Sequence, residues 1–324
     1  MLEFVRGMLR YPAAIILLWA GSALAVTEQP FLVKTDSVPQ AQIAGTLWRP
    51  DGTPRGTLFM AHGFHRSMWD FRAYTWITDN EHFNVVRFDF REHGQSSHSP
   101  HLPTLGYYEI WDLKAVIDWA EANHLEKPYL CYGHSMGAAI SLRWAAEDRR
   151  ISGVLAQSPF RNGLDATGKF RPNDNRVKFA AGLFVHGGYK RMLEQVDIPT
   201  AVAKRADLLI WLSCGDRDYF PEADQRAILA ASASPDRMKS FTLIPNCEHG
   251  GQWRWSGNDA LIRAFLEAGA PPHPPAILPA TPAIALTSPI SSRHEFPKHL
   301  TTVLAAGIAL LAVIIMRFRN RSRA

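Results

Sequence analysis

The run Tyr129-Leu130-Cys131-Tyr132-Gly133-His134-Ser135-Met136-Gly137 constrains this chain more than any other stretch. A short apolar segment enters a Gly-x-Ser-x-Gly and leaves into a helical pattern over residues 138–146. A strand that becomes a helix within so few residues must bend sharply, and the bend leaves Ser135 in strained backbone geometry. Gly133 and Gly137 lack Cβ atoms, so strand and helix can pass close to the serine. Its hydroxyl then stands at the carboxyl edge of a sheet, and the rest of the chain must supply that sheet.

The flanking sequence does so by alternation. Residues 31–37 and 42–48 predict a leading hairpin, and 56–61 a buried strand ending in His62-Gly63. A helix over 67–78, a strand over 82–90, a loop over 91–105 and a helix over 107–123 follow. After the Ser135 strand and helix come strands at 151–156, 207–213 and 238–244 and a closing helix at 260–266. Strands alternating with helices imply an α/β fold, a doubly wound and mainly parallel sheet with ligands at the strands' carboxyl ends. Residues 158–205 interrupt the alternation. They carry Arg161, Lys169, Arg171, Arg176, Lys178, Lys190 and Arg191 against few acids. We read them as a short cap inserted over the site; a pair of solvated charged helices is the competing reading.

A serine hydroxyl is a poor nucleophile until a base takes its proton. His249 follows the last strand in Asn246-Cys247-Glu248-His249-Gly250-Gly251, where two glycines let the loop fold over the sheet edge. His62, His65 and His93 are rivals, but His62 precedes a tight glycine turn and reads as structural. An acid must hold the imidazole's other nitrogen. Asp216 and Asp218 both end the strand before, in Gly215-Asp216-Arg217-Asp218. Asp218 is favoured because a turn after Gly215 would carry it toward the histidine loop. The order Ser…Asp…His suits a sheet of this type. Acyl transfer also needs donors for the developing oxyanion, and the backbone N–H groups of Met136 and Phe64 fall where such donors belong.

Together, His62-Gly63-Phe64, Asp89-Phe90-Arg91-Glu92-His93-Gly94-Gln95-Ser96, Gly133-His134-Ser135-Met136-Gly137, Gly215-Asp216-Arg217-Asp218 and Glu248-His249 resemble the α/β-hydrolase superfamily. Within it they are most similar to the monoacylglycerol lipase, lysophospholipase and serine aminopeptidase group, over about residues 40–268. The resemblance implies a serine hydrolase with no cofactor and no metal, with a triad at Ser135, Asp218 and His249. Two departures stand out: Glu92 replaces the glycine usual in the Asp-x-Arg-Gly-x-Gly-x-Ser loop, and Ala138 replaces a second glycine often found after the elbow. The first bears on the pocket entrance.

The expected reaction is ester hydrolysis of the esterase, lipase or lysophospholipase kind, on a small-molecule or lipid ester. A basic cap suits an anionic substrate or lipid surface. Peptide or amide hydrolysis of the serine aminopeptidase type, and a non-catalytic binding protein on the same fold, are the alternatives. A net charge of +5 without a basic stripe carrying interleaved aromatics argues against nucleic acid. Cys131, Cys214 and Cys247 match neither a zinc spacing nor a multi-disulfide framework. Cys214 and Cys247 fall near the ends of neighbouring strands, as a pair or as two buried thiols. Trp253 and Trp255 line an acyl pocket or simply pack.

Both ends read as membrane segments. Residues 1–25 carry Arg6 and Arg10, an apolar run and Ala23-Leu24-Ala25, the pattern of a signal peptide or an amino-terminal anchor. Residues 26–269 form the hydrolase domain, and 270–298 a proline-rich spacer that spans up to about 90 Å when extended. Residues 299–316 are expected to form a transmembrane helix; 300–316 carry no charge and reach roughly 26 Å. Arg317, Arg319, Arg321 and Arg323 in the tail 317–324 predict a cytoplasmic carboxyl end, with the catalytic domain extracytoplasmic.

Overall fold

In the computed structural model the described residues are 27–98, 103–169 and 187–272. Among them eight strands form one sheet: β1 (Glu28–Lys34), β2 (Gln42–Trp48), β3 (Gly56–Ala61), β4 (Phe83–Phe88), β5 (Tyr129–His134), β6 (Ile151–Gln157), β7 (Leu209–Arg217) and β8 (Lys239–Glu248). Their spatial order is β1-β2-β4-β3-β5-β6-β7-β8. The pairings β1–β2 and β2–β4 are antiparallel and all others parallel.

Period-two side-chain alternation explains the two cores. Every residue of β3 and β4 is buried, because both faces are covered. Phe59, Val86, Cys131, Val154 and Ile210 face one side. They meet Leu113, Val116 and Ile117 of α2 (Glu109–Ala122) and Ala139 and Leu142 of α3 (Met136–Glu147). Leu58, Met60, Val85, Leu130, Tyr132 and Leu155 face the other. There they meet Ile262, Phe265 and Leu266 of the last helix, Asn258–Gly269. A closed ring of buried polar groups crosses this second face. Asn258 Nδ2 donates to Tyr74 Oη at 3.1 Å, which lies 3.4 Å from Tyr132 Oη. Tyr132 Oη donates to Gln157 Oε1 at 2.8 Å, and Gln157 Nε2 returns to Asn258 Oδ1 at 2.8 Å.

Two expectations need correction. The helix expected over 67–78 is a 3-10 turn, Met68–Tyr74, followed by α1 (Thr75–Glu81). Asp89 Oδ1 takes the Met68 N–H at 2.7 Å, which anchors the tighter coil. β7 and β8 run on to Arg217 and Glu248, with a register shift between Gly215 and Arg217. A further helix, Glu222–Ala231, follows Pro221.

In 158–205 the described parts hold α4 (Gly163–Lys169), α5 (Gly187–Glu194) and α6 (Ile198–Val202), so that the helix after β7 is α7 and the last helix α8. From Leu193 onward the segment joins the main core through Leu193, Val196, Ile198 and Val202. Among its described residues Arg161 pairs with Asp165, Lys169 with Asp224 and Lys190 with Glu194. Arg171, Arg176 and Lys178 lie outside the described residues. So do the expected signal segment 1–25, the spacer beyond residue 272, the span 299–316 and the tail 317–324. Among the described residues no helix is long and apolar enough to cross a membrane.

Candidate active site

Ser135 sits between β5 and α3 with φ 52° and ψ −114°, a conformation that side-chain-bearing residues seldom adopt. Its N–H donates to Gln157 O at 2.8 Å, so the neighbouring strand holds the turn shut. The two glycines are sterically required. A methyl at Gly137 would lie 2.1 Å from Ala61 O, and one at Gly133 2.6 Å from Ala138 N. Helix and strands are therefore in backbone contact around the serine.

The structure brings three distant side chains into line. Ser135 Oγ is 2.9 Å from His249 Nε2, and His249 Nδ1 is 2.8 Å from Asp218 Oδ1. Asp218 N–H donates to Gly215 O at 3.2 Å, the turn that carries its carboxylate to the histidine loop. Burial pushes the Asp218 carboxyl up, but donors from His249, Ser158 and the Phe220 N–H outweigh it and leave it below the ordinary carboxylate value. Asp216 goes elsewhere: it accepts the N–H groups of Asn246 at 2.9 Å and Cys247 at 3.1 Å, bracing the loop on which His249 rides. Tyr219 lies over the His249 ring at 4.0 Å between centroids and Phe220 meets it edge-on at 5.2 Å, which fixes the imidazole plane.

Met136 opens α3, and the first N–H groups of a helix have no partner one turn back. The Gly63–Phe64 backbone runs past the same spot: a methyl on Gly63 would sit 3.4 Å from Ser135 Cβ. The rival histidines have other work. His62 is buried, its Nε2 accepting the Phe90 N–H at 3.0 Å and its Nδ1 2.8 Å from Gly63 O; burial and the nearby His93 push its pKa down to about 3. His93 Nε2 accepts the His65 N–H at 3.2 Å, which holds the loop after Phe64. Glu92 takes φ 63°, the left-handed conformation that the usual glycine there would supply.

The other candidates are less involved. Trp253 is 61 % exposed and stacks under the Arg254 guanidinium, and the Trp255 ring lies against Gly257. Cys131, Cys214 and Cys247 are all free thiols, and burial pushes Cys214 up to about 12. Among the described residues no group of three or more His, Cys, Asp or Glu side chains is arranged to hold a metal ion.

Two residues at the site carry no sequence signal that would have singled them out. Ser158, fully buried just after β6, donates from Oγ to Asp218 Oδ2 at 2.5 Å. Gln252, also buried, donates to Ser158 Oγ and reaches Asp218 Oδ2 at 3.4 Å. A serine after a strand and a glutamine in a loop are unremarkable in sequence; only the side-by-side packing of β6 and β7 reveals them.

The chain is similar to several known proteins. A family model described as serine aminopeptidase, S33, matches residues 52–170. The monoglyceride lipase of Rattus norvegicus is 29% identical over 133 residues, 41% of this chain and 43% of that protein. The aligned part thus spans less than half the length of that relative. The monoacylglycerol lipase of Mycolicibacterium smegmatis is 28% identical over 218 residues, 66% of this chain and 75% of that protein. Among solved structures, an esterase of Pyrococcus furiosus superposes with a TM-score of 0.60 at 21% identity, covering 78% of this chain and 94% of its own.

Proposed function

We propose that this chain, an α/β-hydrolase similar to the monoacylglycerol lipase, lysophospholipase and serine aminopeptidase group, is a serine hydrolase that cleaves carboxylic esters. The observation that carries the reading is the line from Ser135 Oγ through the His249 ring to Asp218, at 2.9 and 2.8 Å. Ser135 Oγ attacks the ester carbonyl while His249 Nε2 takes its proton. The oxyanion that forms meets the N–H groups of Met136 and Phe64, each such donor contributing about 3–4 kcal/mol. His249 returns the proton to the departing alcohol as the carbonyl re-forms, leaving an acyl group on Ser135. Water repeats the sequence, giving the acid and the free serine. Asp218 holds the imidazole so that its Nε2 lone pair faces the serine, and balances the positive charge the ring carries in each transition state.

The relatives' names favour an acylglycerol or another lipid ester. The match to the serine aminopeptidase model favours amide cleavage as the second reading. The test sets p-nitrophenyl esters of increasing chain length and monoacylglycerols beside amino-acid amides, with fluorophosphonate labelling as the common readout. Ester hydrolysis and labelling that both vanish in Ser135→Ala support the proposal. Full esterase activity in Ser135→Ala overturns the mechanism, and folded protein that never labels favours a binding role.

The localisation belongs to the same proposal: a catalytic body outside the membrane, held by 299–316 with the tail 317–324 inside. The uncharged run ending in four arginines supports it. Alkaline phosphatase fused after residue 269 should be active, and fused after residue 324 inactive; the reverse pattern overturns the topology.

A further inference from the structure

The carboxylate of Asp218 is held from both oxygens by groups on three separate segments. Oδ1 faces His249 Nδ1 at 2.8 Å and accepts the Phe220 N–H at 2.8 Å. Oδ2 accepts the Ser158 hydroxyl at 2.5 Å and is approached by Gln252 Nε2 at 3.4 Å. Gln252 Nε2 also donates to Ser158 Oγ. That bond orders the hydroxyl: with one oxygen lone pair engaged by the amide, the serine proton turns to the carboxylate.

Ser158 occupies this place at a cost. Its φ is 51°, the left-handed region, though it is a residue with a Cβ, and it is completely buried. Its N–H donates to Ser213 O at 2.7 Å, which locks the turn to β7. Glycine would adopt this backbone without the strain. Glycine would also lack the hydroxyl. Gln252 lies in the turn Gln252–Arg254, three residues beyond His249, so the same amide ties the histidine's own loop to the end of β6.

We infer that Ser158 and Gln252 are positioning residues that act through Asp218, fixing its second oxygen so that the first stays aimed at His249. This rests on the reading of Ser135, His249 and Asp218 given above. The chemical consequence concerns charge as well as aim. A carboxylate stripped of two donors binds protons and imidazolium more tightly, so the histidine–aspartate pair would hold its extra proton to higher pH.

The test compares Ser158→Gly, Ser158→Ala and Gln252→Met in the full chain. Three readouts are used: p-nitrophenyl ester kinetics, thermal stability, and the downfield proton resonance of the His249–Asp218 hydrogen bond. Loss of the hydroxyl is expected to lower kcat about 10–100-fold with KM within about 2-fold, the scale of a small misplacement at the reacting atoms. The acid limb of kcat/KM moves to higher pH, and the resonance shifts. Ser158→Gly is the decisive variant, because it relieves the strained turn while removing the hydroxyl. It should match Ser158→Ala in lost kcat yet melt at a higher temperature. Wild-type kcat, an unmoved acid limb and an unmoved resonance in folded Ser158→Gly would overturn the inference. Because the resonance needs no turnover, the two readings separate. A chain whose resonance responds to Ser158→Gly but which hydrolyses no ester loses the proposed function and keeps the positioning role.

Discussion

Asp216 and Asp218 are two residues apart, yet the fold sends them to different tasks. Asp218 turns inward after Gly215 and meets His249, while Asp216 stays at the surface and accepts two N–H groups from the opposing strand end. Asp218→Asn keeps the shape but offers an amide where the imidazole needs an acceptor. It should lower kcat by about 10⁴-fold with KM little changed. Asp216→Asn should keep kcat within about 10-fold, because its loss is felt only through the placement of the loop. Parallel steady-state kinetics on one ester check both; equal losses would remove the distinction. The sequence supports this choice through a turn argument, and it points to Ser135 and His249 through motifs that chemistry makes recognisable. Ser158 and Gln252 were not legible in it. Their importance comes from the register of β6 against β7 and from a loop's path, and neither leaves a pattern in residue types.

At the scale of elements, the order of strands and helices was legible because apolar runs and turn residues alternate along the chain. The ends were not. β7 and β8 extend past the apolar runs because the strands hydrogen-bond each other through exposed polar residues, with Arg217 opposite Glu248. The ring of Tyr74, Tyr132, Gln157 and Asn258 was also invisible, since it joins the 3-10 turn, β5, β6 and α8. It predicts a stability cost that burial of apolar surface alone would not. Tyr132→Phe keeps the ring's bulk but leaves Gln157 Oε1 without its donor, and a buried orphaned acceptor costs about 1–3 kcal/mol. The urea midpoint should fall at unchanged m-value. Gly137→Ala tests the contact between elements directly: its methyl would meet Ala61 O, so α3 must move off β3. That overpacking should cost about 1–3 kcal/mol and slow fluorophosphonate labelling of Ser135 together with it. Unchanged stability and labelling in Gly137→Ala would mean that the elbow is looser than its geometry indicates.

For the molecule as a whole, two histidines, the buried His62 and the half-buried His134, set how stability responds to acid. Desolvation, with His249 close by, pushes His134 down to about 3, and burial beside His93 does the same to His62. In the unfolded chain each titrates near its ordinary value of about 6.5. Below that value the unfolded state takes up protons that the folded state refuses. Stability contributed by these neutral rings is therefore complete above about pH 6.5 and lost as the pH falls toward 3. Each ring contributes a slope of about 1.4 kcal/mol per pH unit within that window. Asp112 acts in the opposite sense: burial pushes its carboxyl up to about 7 against the pull of Arg91, so acidification through the same window favours the folded state there. The net slope mixes these contributions, but a difference between two proteins does not. His134→Asn removes one refused proton and leaves the others in place. Its urea-derived stability, measured from pH 7 to pH 4, should fall less steeply than wild type by about 1.4 kcal/mol per pH unit below pH 6, with parallel curves above pH 7. The offset at neutral pH reports packing lost with the ring; the change in slope reports the proton alone. Identical slopes would mean that His134 takes up its proton in the folded protein as readily as in the unfolded one, with the half-buried imidazole beside Gly63 and His249 fully hydrated.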